Sequence, residues 1–315
     1  MKYTIGVDIG GTNVAVGIVD ENYNVIIKDS FKTNAPRSAD SICNDIFDTI
    51  AKLANKAEIP FNEISDIGIA CPGIIKNGVV VSATNLKFNN VDLKSIVEKR
   101  TGFKCAVCND ANAVALAEYI VSDNKDIHSL VAVTIGTGIG GGIVIDGKII
   151  DGFNGAGAEL GHITVEKDGR KCACGSKGCL ETYCSASALV KETQKAMIDH
   201  PDSKLWEICK DINDVDGKTV FKATELGDTV SKEVLDTFLN YLSIGVINMI
   251  TLLQPEVLCI GGGMSKEKDA LIEPLKKLVI ENSLTKNLAE KTTIKTAVLF
   301  NDAGIVGAAA HLKSE

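Results

Sequence analysis

The sequence predicts an α/β protein made of two copies of one unit, which face each other across a cleft. The first observation behind this prediction is a repeat. The stretch VDIGGTNVAVGIVD at 7–20 recurs without a gap as VTIGTGIGGGIVID at 133–146, so that Asp8 aligns with Thr134. Each copy has the pattern of strand, glycine turn and strand, and a match of this length with its turns in step indicates duplication.

The second observation is another matched pair of segments. DIGIACPGI at 66–74 and VLCIGGGMS at 257–265 are both apolar strands that end in a glycine turn, and each follows a helical stretch. The second helix is marked by apolar residues three and four positions apart, and Pro255 ends it. These apolar positions are Leu235, Phe238, Leu239, Leu242, Val246, Ile250 and Leu253. Because ligands of α/β folds bind at strand ends, the turns of both copies are expected to line one cleft.

Composition narrows the class of protein. The chain has 315 residues, 45% of them apolar, and a formal net charge of −8. The acidic balance disfavours nucleic-acid binding, which needs clustered Lys and Arg. The sequence contains no run of about 18 apolar residues, so it predicts no membrane span. The first residues lack a signal-peptide pattern, so we expect a cytoplasmic protein with reduced cysteines.

The two glycine turns, Gly10–Thr12 and Gly136–Gly138, are predicted to hold phosphates. Glycine lets backbone N–H groups approach a phosphate closely, and Thr12 and Thr137 add hydroxyl donors. Asp8 directly precedes the first turn and is expected to hold Mg²⁺.

Two other motifs are rejected, and a third favours a structural interpretation. Gly136, Gly138 and Gly141 fit G-x-G-x-x-G, but a strand pattern follows where a dinucleotide-binding fold requires a helix. A near match to the phosphate-binding P-loop, Gly142 to Lys148, continues with Ile149 where Ser or Thr is required. Cys105 and Cys108 form C-x-x-C within a strand pattern, which favours buried small residues over a redox pair.

A cysteine cluster predicts a zinc site. Cys172, Cys174 and Cys179 provide three thiolates, and His162 just upstream provides a fourth ligand for a tetrahedral structural site. Cys184 is an alternative fourth ligand.

Polar residues at strand and turn ends predict an acid–base site. Asn109 and Asp110 lie where a strand runs into an Ala-rich helix. Either residue is suited to capping that helix, while an aspartate there is also placed to accept a proton from a hydroxyl that attacks a phosphoryl group. If the cysteine loop folds as predicted, Glu159, His162 and Glu181 form a polar group suited to a polyol.

Five motifs together resemble the ROK family of repressors and sugar kinases: DIGGTN, NDANAVALAE, GTGIGGGI, GAELGH and CACGSKGCLE. The resemblance implies two actin-like, RNase H-like ATPase domains with ATP and sugar in the central cleft. The expected domains are 1–115 with 301–315, and 116–300 with the zinc loop. The resemblance also implies an ATP-dependent hexose kinase, with glucose as the favoured substrate, phosphorylated at its C6 hydroxyl. It further implies that the protein forms a homodimer or homotetramer.

The resemblance also assigns site residues. Asp110 is the catalytic base, and Asn109, Glu159, His162 and Glu181 hold sugar hydroxyls, with Gly73 and Asn85 bordering the sugar. Zinc is held by His162, Cys172, Cys174 and Cys179. The nucleotide and Mg²⁺ are assigned to Asp8, Gly10, Gly11, Thr12, Asn13, Gly136, Thr137, Gly138, Gly262 and Gly263. N-acetylmannosamine, N-acetylglucosamine, fructose and allose remain alternative substrates, and a non-catalytic sugar-sensing regulator is the alternative from another class.

Overall fold

The computed structural model describes residues 2–122 and 126–312. The strands are β1 (Tyr3–Ile9), β2 (Asn13–Val19), β3 (Val25–Lys32), β4 (Ile64–Cys71), β5 (Ile74–Lys76), β6 (Val79–Ala83), β7 (Phe88–Asp92), β8 (Lys104–Asn109), β9 (Ser129–Ile135), β10 (Ile139–Ile145), β11 (Lys148–Ile149), β12 (Val257–Gly261) and β13 (Thr293–Thr296). The α-helices are α1 (Ala39–Lys56), α2 (Leu93–Thr101), α3 (Asp110–Ile120), α4 (Glu181–Cys184), α5 (Ala186–Asp199), α6 (Leu205–Ile208), α7 (Thr219–Glu225), α8 (Thr229–Leu253), α9 (Asp269–Asn282) and α10 (Ala303–His311).

The duplication appears as two five-stranded sheets with the same plan. One sheet has the order β3-β2-β1-β4-β8 and the other β11-β10-β9-β12-β13. β1 pairs antiparallel with β2 and parallel with β4, and β12 pairs parallel with β13. β9 begins 126 positions after β1 (129 − 3), and β10 begins 126 after β2 (139 − 13). The predicted α/β class and the internal repeat are therefore confirmed.

The copies differ at their third strand. β3 extends over 8 residues, whereas β11 covers only Lys148 and Ile149. The chain then enters a turn in which Gly152 has a φ of 75°. The third strand of the second copy is thus much shorter than that of the first, because a left-handed turn follows it closely. A small third sheet, β5-β6-β7, is inserted between β4 and α2.

The last helix, α10, packs unusually closely on β1, β4 and α3. A Cβ atom added to Gly6 would lie 2.0 Å from the Ile305 carbonyl oxygen, and one added to Gly68 would lie 1.8 Å from that of Ala308. Only glycine on the strands permits this approach. The first turn of α10 consequently reaches the end of β1, where Asp8 lies.

The chain divides into two compact units. The first comprises residues 1–132, 142–158 and 298–315, and the second comprises 133–141 and 159–297. The domain boundaries expected from the sequence remain a prediction, and Met1 and 313–315, which fall within the expected first domain, lie outside the described residues.

Helix α8 and the cysteines bear on two further expectations. Among the described residues, α8 is long and apolar enough to cross a membrane, but half of its most apolar window is buried, as in core helices that pass the same test. None of the ten cysteines forms a disulfide. Cys105 and Cys108 lie buried on β8 in different apolar clusters, as residues three apart on a strand do, which confirms that they are buried strand residues.

Candidate functional site

Two partly buried carboxylates lie together in the first unit. Asp8 is near the end of β1, and Asp110 is the first residue of α3. Burial raises the pKa of Asp8 from 3.8 to about 6, and the charge of Asp110 adds to this effect. Burial also raises the pKa of Asp110, although hydrogen bonds from Ala111 and Asn109 oppose the rise. Paired acids with raised pKa values are typical of functional sites.

Asn109 provides the helix cap, which resolves the alternative left open by the sequence. Its Oδ1 accepts hydrogen bonds from the N–H groups of Ala111 at 2.8 Å and Asn112 at 3.1 Å. Its Nδ2 donates to the Gly73 carbonyl oxygen at 3.1 Å. Capping orients the first turn of α3 and so fixes the backbone of Asp110 beside Gly73.

The first glycine turn is braced from β3. The Gly10 N–H donates to the Asn13 carbonyl oxygen at 2.9 Å, so the turn itself uses this donor. Thr33 follows β3 directly and was not predicted from the sequence. Its N–H donates to the Thr12 carbonyl oxygen, and its hydroxyl donates to the Gly10 carbonyl oxygen. Asn85 lies beside Gly11, where an added Cβ would be 3.5 Å from the Asn85 Cβ. Gly11 and Thr12 are left to present N–H groups to a ligand.

The second glycine turn is closed by a carboxylate. The Gly136 N–H donates to the Gly138 carbonyl oxygen at 2.9 Å, as the Gly10 donor does in its own turn. Glu181 Oε2 accepts the Ile139 N–H at 2.9 Å and lies so close that a Cβ on Gly138 would be 2.3 Å away. The local sequence does not predict this hydrogen bond between Ile139 and Glu181, because 42 positions separate the two residues.

A polar cavity of about 360 Å³ adjoins this second turn. Thr137 and Glu181 line it together with Ser185, Ser187 and Lys191 near the start of α5. Gly262 packs against β9 just before the same turn, because its added Cβ would lie 2.5 Å from the Ile135 carbonyl oxygen. Gly263 has open space where a side chain would be.

Four potential metal ligands converge in the second unit. One donor atom each from His162, Cys172, Cys174 and Cys179 lies within 4.8 Å of all the others. The His162 Nδ1 is 3.6 Å from the Cys172 Sγ, and the Cys174 Sγ is 3.7 Å from the Cys179 Sγ. Cys184 lies elsewhere, with its Sγ 3.5 Å from the Phe238 carbonyl oxygen. The structure therefore selects His162 over Cys184 as the fourth member of the cluster.

The thiols of this cluster differ in their acidity. Hydrogen bonding, mainly from the Ser176 backbone, lowers the pKa of the exposed Cys174 thiol to about 7. Burial and the neighbouring thiols raise the pKa of Cys179 to about 12. Three thiols packed together cannot all ionise without a cation, so this donor set suits a bound metal ion.

The cysteine loop joins the segment that follows His162 to the segment that precedes Glu181. Thr164 pairs antiparallel with Cys179, and the Leu180 N–H donates to the Ile163 carbonyl oxygen at 2.9 Å. The exposed Glu159 precedes the short 3₁₀-helix Leu160–His162, and its carbonyl oxygen accepts the His162 N–H at 3.0 Å.

Comparisons with known proteins identify the family of the chain. The ROK family profile matches residues 4–315. A glucokinase from Thermotoga maritima is 34% identical over 98% of this chain and 96% of its own. A xylose repressor from Caldicellulosiruptor bescii is 29% identical over 89% of this chain and 70% of its own. The crystal structure of a ROK family glucokinase from Streptomyces griseus in complex with glucose and AMPPNP has a TM-score of 0.81, with 32% identity and 98% of each chain covered. These matches confirm the actin-like fold class expected from the sequence, and the chain belongs to the ROK family.

Proposed function

We propose that the protein is an ATP-dependent hexose kinase whose substrate is glucose, and that it transfers the γ-phosphoryl group of ATP to the C6 hydroxyl. The observation that carries the proposal is the partly buried Asp8 and Asp110 pair beside a glycine turn, in a chain that matches glucokinases over nearly its whole length. Phosphoryl transfer depends mainly on positioning and on neutralising charge, and these residues are suited to both tasks.

Asp110 acts as the general base. Its raised pKa makes the carboxylate a better proton acceptor than an exposed aspartate, and the Asn109 cap holds it at the start of α3. The proton of the C6 hydroxyl passes to Asp110 as the sugar oxygen bonds to phosphorus, and ADP leaves. Asn109, Glu159, His162 and Glu181 hold sugar hydroxyls, with Gly73 and Asn85 bordering the sugar.

Asp8 is the residue that would hold Mg²⁺. Two neighbouring, partly buried carboxylates repel each other, and a hard divalent cation with oxygen ligands would relieve that repulsion. When bound, Mg²⁺ neutralises charge on the ATP phosphates.

The nucleotide is assigned to the glycine turns. The backbone donors of Gly11, Thr12, Thr137 and Gly138 hold the phosphates, while Gly10, Asn13 and Gly136 shape the turns. Gly262 and Gly263 lie near the adenosine, where Gly263 leaves open space.

The metal cluster fits Zn²⁺. Tetrahedral ligands at a Zn–S distance of about 2.3 Å lie about 3.8 Å apart, and the contacts of 3.6 and 3.7 Å match this spacing. Zinc would stabilise the fold of the loop. With His162 Nδ1 facing the cluster, its Nε2 carries the proton and donates a hydrogen bond to a sugar oxygen.

The wider assignments follow from this function. We propose a cytoplasmic enzyme, with its ten cysteines reduced, that binds neither nucleic acid nor membrane and assembles as a homodimer or homotetramer. Kinase action on N-acetylmannosamine, N-acetylglucosamine, fructose or allose is the nearest alternative. A sugar-sensing regulator is the second candidate, favoured by the likeness to xylose repressors.

The test is a coupled assay of ADP release across a panel of hexoses with Mg·ATP, before and after zinc is removed with a selective chelator. We expect glucose to give the highest kcat/KM, one zinc per chain, and a higher glucose KM after zinc removal. Preference for another panel member would reassign the substrate, and a sugar that binds without ADP release would indicate a regulator.

A further inference from the structure

Glu118 is a fully buried carboxylate that the reaction scheme does not use. It lies near the end of α3 and is 0% exposed. Its Oε1 accepts the N–H groups of Val298 at 3.0 Å and Leu299 at 2.8 Å, and its Oε2 accepts that of Val298 at 2.9 Å. A buried carboxylate is stable only when such donors satisfy it, so these bonds hold the 298–299 backbone firmly.

The segment that Glu118 holds leads directly into α10. Residues 300–302 form a 3₁₀ turn, and α10 begins at Ala303. A Cβ atom added to Gly304 would lie 2.3 Å from Asp8 Oδ2, so the first turn of α10 is in contact with the Asp8 carboxylate. Gly307 fixes the middle of the helix, because an added Cβ there would lie 1.8 Å from the Ala113 carbonyl oxygen.

Helix α3 therefore helps to position the carboxylates of both Asp8 and Asp110. Asp110 is at the start of α3 and Glu118 lies eight positions later (118 − 110), about 12 Å along the axis. Asp110 belongs to the helix itself, while Asp8 is in contact with α10, whose entry segment is held by the same helix. If residues 298–299 move, the first turn of α10 moves with them. This changes the packing against the Asp8 carboxylate and its separation from Asp110.

We propose that Glu118 is a positioning residue, which holds Val298 and Leu299 so that the first turn of α10 fixes the Asp8 carboxylate beside Asp110. The inference rests on the proposed function for its effect on catalysis, but the contact with Asp8 is testable without activity. Glu118→Gln keeps the size of the side chain and replaces one acceptor oxygen with a donor that opposes the Val298 N–H.

The kinetic arm compares Glu118→Gln and Glu118→Asp with Asp228→Asn. Asp228 is a matched control in the second unit, because it is a buried carboxylate that accepts the N–H groups of Lys204 at 2.9 Å and Ser231 at 2.7 Å. We expect Glu118→Gln to lower kcat at least tenfold and to raise the Mg²⁺ concentration for half-maximal rate, while the glucose KM changes less than threefold. Glu118→Asp should recover part of kcat. Asp228→Asn should lower Tm with kcat unchanged.

The second arm is a double-mutant cycle on thermal stability at pH 8, which needs no activity. The Tm change caused by Asp8→Asn should differ by at least half between the wild-type and Glu118→Gln backgrounds, because the two sites share the contact through α10. The same change should be unaltered in the Asp228→Asn background. Equal Tm changes in all three backgrounds, or a Glu118→Gln enzyme with normal kcat and Mg²⁺ dependence, would overturn the proposal. A wild-type protein that phosphorylates no hexose would refute the function alone, and the cycle would still decide the role of Glu118.

Discussion

The two copies of the strand-turn-strand unit share their backbone plan but not their chemistry. β1 and β2 align with β9 and β10 at one constant offset, and both glycine turns use their first N–H internally. The first copy carries Asp8 where the second carries Thr134. The carboxylate near the second turn, Glu181, comes from outside the repeat and accepts a backbone N–H. Duplication therefore supplied two similar scaffolds, and only the first carries a carboxylate, that of Asp8, in the strand that precedes its glycine turn.

This difference has an energetic consequence. The partly buried Asp8 is destabilised as an anion by desolvation and by Asp110, whereas Thr134 carries no charge to desolvate. Strained or destabilised groups persist where function requires them, so the first copy is expected to be the less stable around its turn. The predictions below test this contrast by removing groups from each copy.

The largest effect is expected for Asp8→Asn. The amide retains the shape but not the charge that holds Mg²⁺, so kcat should fall by about 10²- to 10³-fold, in the range for loss of an electrostatic stabiliser. Steady-state kinetics across a Mg²⁺ titration measures this. A variant that keeps wild-type kcat at saturating Mg²⁺ would show that Asp8 has no role in holding the ion.

The next effect concerns the cysteine loop. Cys179→Ser should abolish zinc binding, lower Tm and raise the glucose KM by about tenfold, the scale of losing part of a hydrogen-bonded sugar site. Cys184→Ser is the matched control, since its side chain bonds to Phe238 and lies outside the metal cluster. Metal analysis by mass spectrometry should find one zinc per chain in the control. Zinc loss in Cys184→Ser with retention in Cys179→Ser would reverse the assignment.

Asp8→Asn should lower activity but raise the free energy of unfolding. The pKa of Asp8 is about 6 in the folded protein and 3.8 ordinarily, so its stabilising contribution is present below pH 3.8 and lost as pH rises through 6. The full difference corresponds to about 3 kcal/mol. Without ligands, the Asn variant should thus gain up to that much over the wild type between pH 4 and pH 7. Chemical denaturation at several pH values measures the gain, and a pH-independent difference would contradict the buried-anion account.

The smallest effect is expected in the second copy. Thr134→Val removes only a hydroxyl at the position that matches Asp8, so kcat and the Mg²⁺ requirement should stay within about threefold of wild type, an energy change below about 1 kcal/mol. The same Mg²⁺ titration provides the comparison. A loss as large as that of Asp8→Asn would show that both copies contribute to the ion site.

Sequence patterns predicted the parts of this structure that depend on local order. The repeat located the strands and turns, because short apolar runs and glycine spacing are local properties. They did not predict that Glu181 closes the second turn, that Thr33 braces the first, or that Glu118 holds Val298. Those partners are separated by 42, 23 and 180 positions, respectively, and only the tertiary fold brings them together.

The same limit explains the ambiguity at Asn109 and Asp110. Capping and catalysis call for similar residues at a helix start, and local sequence does not separate the two roles. The structure assigns the cap to Asn109, which accepts the N–H groups of Ala111 and Asn112, while the Asp110 carboxylate shares only the Ala111 N–H.

Single-turnover phosphoryl transfer in Asp110→Asn tests the central claim most directly. Enzyme in excess is mixed with radiolabelled Mg·ATP and glucose, the reaction is quenched, and labelled glucose 6-phosphate is counted, while calorimetry measures glucose binding. We predict unchanged glucose binding and a transfer step slowed by about 10²- to 10⁴-fold, as for removal of a general base. Transfer at the wild-type rate, with glucose bound normally, would contradict the assignment of Asp110 as the base and the account built on it.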